Sequence, residues 1–139
     1  MSDSFPPTFL RGIRASKHVE GGFLATDALE PPKASPSRLA KGLPAGQEMS
    51  INWEMDDGAL STTFADRSNS AFGVARLQAE QLTRVREVVG GLVWPEWDAL
   101  PQNKYHGNIV YDPGLNNQRR RQIQASLALF AEFIPRPAR

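Results

Sequence analysis

The chain has 139 residues, 40% of them hydrophobic and 22% charged, with a formal net charge of +1 and no cysteine. That is one domain's worth of ordinary globular composition. It excludes disulfide staples, thiolate nucleophiles and cysteine-ligated metal, and it lacks the broad basic field of a dedicated nucleic-acid binder. The opening MSDSFPPTFL has neither a basic start nor an apolar run, and nothing later approaches the roughly 18 apolar residues of a bilayer span, so the expectation is a cytoplasmic protein with no membrane partner.

Taken in chain order, Phe9, Leu10 and Ile13 with Arg11 and Arg14 read as a short helical turn or extended arm over 8–15. The Gly21-Gly22 pair breaks the chain, and a short strand fits 22–26. From 27 to 47 four prolines and little periodicity predict a surface loop within a single 1–139 domain. Met49, Ile51, Trp53 and Met55 then alternate with polar residues, the period of a half-buried strand. Asp57-Gly58 is a favoured type I′ turn pair. Folding there sets Met55 against Leu60, Trp53 against Thr62 and Ile51 against Phe64, which predicts a hairpin over 49–64.

A strand over 71–77 precedes a helix over 78–89 carrying a Leu82, Val85, Val89 stripe, ended by Gly90-Gly91. A short strand at 92–94 stops at Pro95, a loop holds Trp97 and Tyr105, and 106–111 is a further strand. The last segment, 116–133, is a helix with Ile123, Leu127, Phe130 and Ile134 on one stripe. The fold class this order predicts is α+β: a small, mostly antiparallel sheet with two main helices packed on one face.

Several kinds of chemistry have a candidate. His18 and His106, with Lys17 or Lys104, could supply an acid, a base and a cation for phosphodiester cleavage, the basis of a reading as a small enzyme acting on nucleic acid or a nucleotide. The acidic run Glu54, Asp56, Asp57 sits at a turn without calcium-loop spacing, so no metal is expected, and no glycine run precedes a helix as a phosphate loop would, so no cofactor is expected. Arg11, Ser61-Thr62-Thr63 and Glu96 follow the order of the motif residues of ADP-ribosyltransferases, which this stretch weakly resembles. In that family the arginine and the serine strand hold a dinucleotide and the glutamate orients the attacked ribose. Thr63 in place of the last serine and Glu96-Trp97-Asp98 in place of Glu-x-Glu depart from the pattern, and no family is assigned.

Arg119-Arg120-Arg121 falls in the first turn of the last helix, where the macrodipole favours anions. An anionic partner would offset that penalty. The stripe predicts Arg119 drawn inward toward Asp112, with Arg120 and Arg121 outward. Trp94, Trp97 and Tyr105 are anchor-type residues clustered around prolines. Arg120, Arg121, Trp94, Trp97 and Tyr105 are therefore the candidate partner-binding residues. The leading functional expectation is a non-catalytic interaction module or accessory subunit, of the kind found in bacterial toxin, immunity or defence gene sets, that meets a protein with an acidic surface. Direct nucleic-acid binding is disfavoured by the near-zero net charge.

Overall fold

The alternation at 47–53 does form a strand, and it lies inside a sheet rather than in a local hairpin. In a computed structural model, which describes residues 5–14, 19–20, 23–24 and 36–137, the elements are β1 (Thr8–Ile13), β2 (Val19–Glu20), β3 (Phe23–Leu24), α1 (Pro36–Ala40), β4 (Gln47–Trp53), α2 (Gly58–Ala65), β5 (Gly73–Gln78), α3 (Ala79–Val89), β6 (Val93–Trp97), β7 (His106–Tyr111), α4 (Asn117–Ala128) and β8 (Glu132–Pro135). A 3-10 turn, Gly90–Leu92, joins α3 to β6. Six strands form one antiparallel sheet in the order β6-β7-β4-β1-β5-β8, while β2 and β3 pair separately. The fold is α+β. No helix among the described residues is long and apolar enough to cross a membrane.

Period-two alternation sorts side chains between two cores. Phe9, Ile13, Met49, Ile51, Trp53, Ala75, Leu77, Ile109 and Tyr111 face α3 and α4, which contribute Leu82, Val85, Ile123 and Leu127 to the same cluster. Leu10 and Val74 face the other way and pack with Ala59, Leu60 and Phe64 of α2 and with Tyr105. The 8–13 segment, expected as a helical turn or arm, is thus an inner strand with apolar residues on both faces, which hides the alternation that marks a one-sided strand.

The 49–64 hairpin is corrected. Both edges of β4 are already taken, by β1 (Phe9 opposite Trp53) and by β7 (Asn52 opposite His106). A type I′ turn needs positive φ at both central residues, whereas Asp57 is right-handed at φ −63°. The Asp56 carboxylate accepts the Gly58 N–H at 2.8 Å and the Tyr105 hydroxyl at 2.7 Å. Together these start α2 at Gly58. Ile51 and Trp53 are buried as expected, but Met55 is 50% exposed.

Three other expectations shift. Pro95 does not stop its strand: β6 is an edge strand, where a residue lacking N–H is tolerated. The last helix ends at Ala128, and Ala131 N–H bonds back to Ala128 C=O at 3.1 Å. Leu129 at φ −61°, ψ 132° and Phe130 at φ 63° make a type II turn that sends the chain into β8, so Phe133 and Ile134 are strand residues. Of the 27–47 loop, residues 27–35 lie outside the described residues, and the rest includes α1, whose Arg38 side chain is fully buried.

Candidate functional site

α3 and α4 cross the same face of the sheet, and the end of one meets the start of the other. β5 leads into α3 at the Trp53 end of the sheet, and β6 begins opposite Tyr111 at the other, so α3 ends where α4 begins. Between them lies an open cleft of about 250 Å³ walled by Val88, Val89, Leu92 and Leu115, with Gly114, Asn116 and Arg119 at its polar side. Val88 is 74% exposed and Leu92 43%. Neither lies on the Leu82, Val85, Val89 stripe, so their side chains do little for the interior. Among the described residues, the only charged one lining the cleft is Arg119.

The first turn of α4 explains how the arginines divide. Asn116 caps the helix, its Oδ1 accepting the Arg119 N–H at 2.8 Å. Arg120 stands three, four and seven residues before the buried Ile123, Gln124 and Leu127, and so shares their face. Its guanidinium donates to the Leu115 carbonyl at 2.7 Å, to Gln47 Oε1 at 3.2 Å and to Asn117 Oδ1. Arg119 and Arg121 are exposed. The expected inward Arg119 and outward Arg120 are therefore exchanged. The signal was present, since a stripe that counts the buried Gln124 passes through position 120.

The three aromatic candidates separate. Trp97 is 42% exposed and packs at 5.9 Å on Phe5 and 5.8 Å on Trp53, on the helix-covered face. Trp94 lies on the opposite face, its indole N–H donating to Glu96 Oε2 at 2.9 Å and its ring 6.0 Å from the Arg38 guanidinium carbon. Tyr105 is buried in the smaller core. None of the three lines the cleft.

His18 lies outside the described residues. His106 projects from β7 on the α2 side of the sheet, its Nδ1 2.9 Å from the Asp98 carbonyl and 3.4 Å from the Asp98 carboxylate. Arg120 bonds to Gln47 and His106 pairs with Asn52, five residues further along β4 and about 17 Å away at 3.3–3.4 Å per residue. His106 and the 119–121 arginines thus do not meet. Among the described residues, no group of three or more His, Asp or Glu side chains could hold a metal ion.

The residues resembling the ADP-ribosyltransferase motif are also apart. Ser61, Thr62 and Thr63 lie in α2 rather than on a strand. Arg11 Nη1 donates to the Ser50 carbonyl at 2.8 Å. Glu96 forms a two-pronged pair with Arg38, Nη1 to Oε1 at 2.8 Å and Nη2 to Oε2 at 2.7 Å, which together with Trp94 holds its carboxyl below the usual carboxylate range. Comparison with protein families, with curated proteins and with solved structures returns no match. Among the described residues, the cleft and its flanking arginine combine open apolar walls with an exposed cation.

Arg38 is a buried charged residue that the sequence does not mark. Besides Glu96 it bonds Glu48 at 2.6 Å and the Pro44 carbonyl at 2.7 Å, so it fastens α1 to β4 and β6. A lone arginine in a proline-rich stretch gives no sequence signal for burial. Its donors are committed to the fold, which makes it a clamp rather than a binding group.

Proposed function

We infer that this protein is a non-catalytic interaction module that receives a partner segment combining a large apolar side chain with nearby carboxylates. The observation that carries the reading is the α3–α4 cleft: exposed Val88 and Leu92 over a Leu115 floor, with Arg119 beside the N-terminus of α4. The apolar walls would lose their contact with water on binding, and the cation and helix dipole favour an acidic group at the rim.

Selection of random peptides displayed on phage tests it. Peptides enriched on this protein should pair acidic residues with Phe, Leu or Trp. Capture should fall roughly tenfold with Leu92→Ser and weaken as salt rises. Enrichment of basic peptides, or capture unaffected by Leu92→Ser, would remove the assignment. A second reading, an enzyme acting on nucleic acid or a nucleotide, draws on the Asp98-oriented imidazole of His106. The Arg119–Arg121 run, the candidate for holding such a substrate's phosphates, lies on the other face of the sheet.

A further inference from the structure

α4 is charged against its own dipole at both ends. Its first turn carries the exposed Arg119 and its second the exposed Arg121, while its last turn holds no basic residue and Glu132, 60% exposed and bonded on one oxygen to Arg76, follows four residues later. Cations at the start and an anion past the end are both unfavourable in an isolated helix. Arg120 is bound within the chain, and neither Arg119 nor Arg121 has a carboxylate within salt-bridge distance among the described residues.

The outward side of the same helix is a ridge of Gln118, Gln122, Ala125 and Leu129, all exposed, uncharged and spaced by four, three and four residues. At its C-terminal end Leu129 (54% exposed) and Phe130 (75% exposed) project on the type II turn. At its N-terminal end lies the apolar cleft. The two features are about 18 Å apart, twelve residues at 1.5 Å each.

We propose that the outer face of α4 is the contact of a two-fold dimer of this chain, in which the two α4 helices pair antiparallel. The proposal rests on the interaction-module reading and names the occupant of the cleft as the Leu129–Phe130 turn of a second copy. Antiparallel pairing about the point midway between Gln122 and Ala125 sets Gln118 opposite the other chain's Leu129, brings each chain's Arg119 and Arg121 to the negative C-terminal end of the other's helix, beyond which Glu132 is 60% exposed though bonded to Arg76 at 3.0 Å, and lays each turn over the other's cleft. One separation fits both contacts, as an isologous interface requires. The small Ala125 beside the centre permits close approach of the helices. Parallel pairing would place arginines on arginines, and with a net charge of +1 the chains repel little overall.

Sedimentation equilibrium of the full chain, with thermal melts confirming that each variant folds, tests the contact. We expect a dimer whose dissociation constant rises with salt, and rises about tenfold or more in Phe130→Gly and in Arg121→Glu. A chain that stays monomeric up to its solubility limit in low salt, or a dimer indifferent to both substitutions, overturns the proposal. The absence of native cysteine gives an independent arm. Under mild oxidation Gln122→Cys mixed with Ala125→Cys should give the mixed disulfide, as should Gln118→Cys mixed with Leu129→Cys. Preferential Gln118→Cys self-pairing would overturn the antiparallel geometry. A monomer that still enriches acidic, apolar peptides would sink the dimer alone; loss of that peptide capture sinks the module reading.

Discussion

Trp53 shows how one side chain can hold three strands. Its indole is fully buried on β4 and touches Phe5 at 4.6 Å and Phe9 at 5.3 Å between ring centres. It extends over β7 so that its N–H reaches the Glu96 carbonyl of β6 at 3.1 Å. That path exists because residue 107 is glycine: a Cβ there would stand 2.3 Å from the indole nitrogen. Trp53→Ala should cost about 3–5 kcal/mol in denaturant unfolding, and Gly107→Ala should also destabilise, because the tryptophan is hemmed in and cannot retreat. An unchanged midpoint in either variant would contradict this account. Phe130 is the opposite case, since a 75% exposed phenyl at φ 63° gives the fold strain and little burial. At concentrations where the chain is monomeric, Phe130→Gly should raise stability by about 1 kcal/mol through relief of the left-handed conformation; a loss there would mean that the ring packs against something in the monomer.

At the scale of the element, α1 is fastened to the sheet by Arg38. Five residues cannot sustain a helix in water, so α1 depends on the Arg38 bonds to Glu48, Glu96 and the Pro44 carbonyl. Arg38→Ala should cost about 3–5 kcal/mol, the range for breaking a buried pair and leaving its carboxylates uncompensated. The same thermal melt on Arg38→Ala with Glu96→Gln should recover part of the loss; no recovery would show that packing rather than charge holds α1. Elements differed in how legible they were. β4, β7, α3 and most of α4 carry a clear period and a stop, and these the sequence reading located. β1 is buried on two faces and so shows no alternation. α2 is not legible, because its Asp-Gly start suits a turn when local pattern alone is weighed, and it is the pairing of β1 and β7 with β4 that leaves no edge for the hairpin. The cleft was half legible: the arginine run pointed to the right end of α4, but Val88 and Leu92 look like extra core residues until α3 and α4 are placed in space.

At the scale of the whole molecule, ion pairs cross between elements distant in sequence, and their titration should set the acid limit of the fold. Glu54 on the α2 side accepts two bonds from Arg76 at 2.8 Å, one to each carboxylate oxygen, and another from Thr8 at 2.7 Å, joining the end of β4 to β5 and β1. Glu96 similarly joins β6 to α1. Arg76 lowers the pKa of Glu54 and Arg38 that of Glu96, in each case mainly by hydrogen bonding to the charged carboxylate. A carboxyl whose folded pKa lies below its unfolded value binds its proton more readily once unfolded. Protons therefore favour the unfolded chain as pH falls. The stabilisation is complete above the ordinary glutamate value of 4.5 and is lost progressively as pH drops through the lower folded values. Chemical denaturation from pH 7 down to pH 3 should thus show a plateau followed by a steep decline beginning near the ordinary value. Glu54→Gln with Glu96→Gln should lower the plateau and flatten the decline, because those two carboxyls no longer titrate. A decline of unchanged steepness in the double variant would assign the acid limit to other groups, with Asp56 and Asp66, both lowered by hydrogen bonds from Tyr105 and Asn69 respectively, next to be tested.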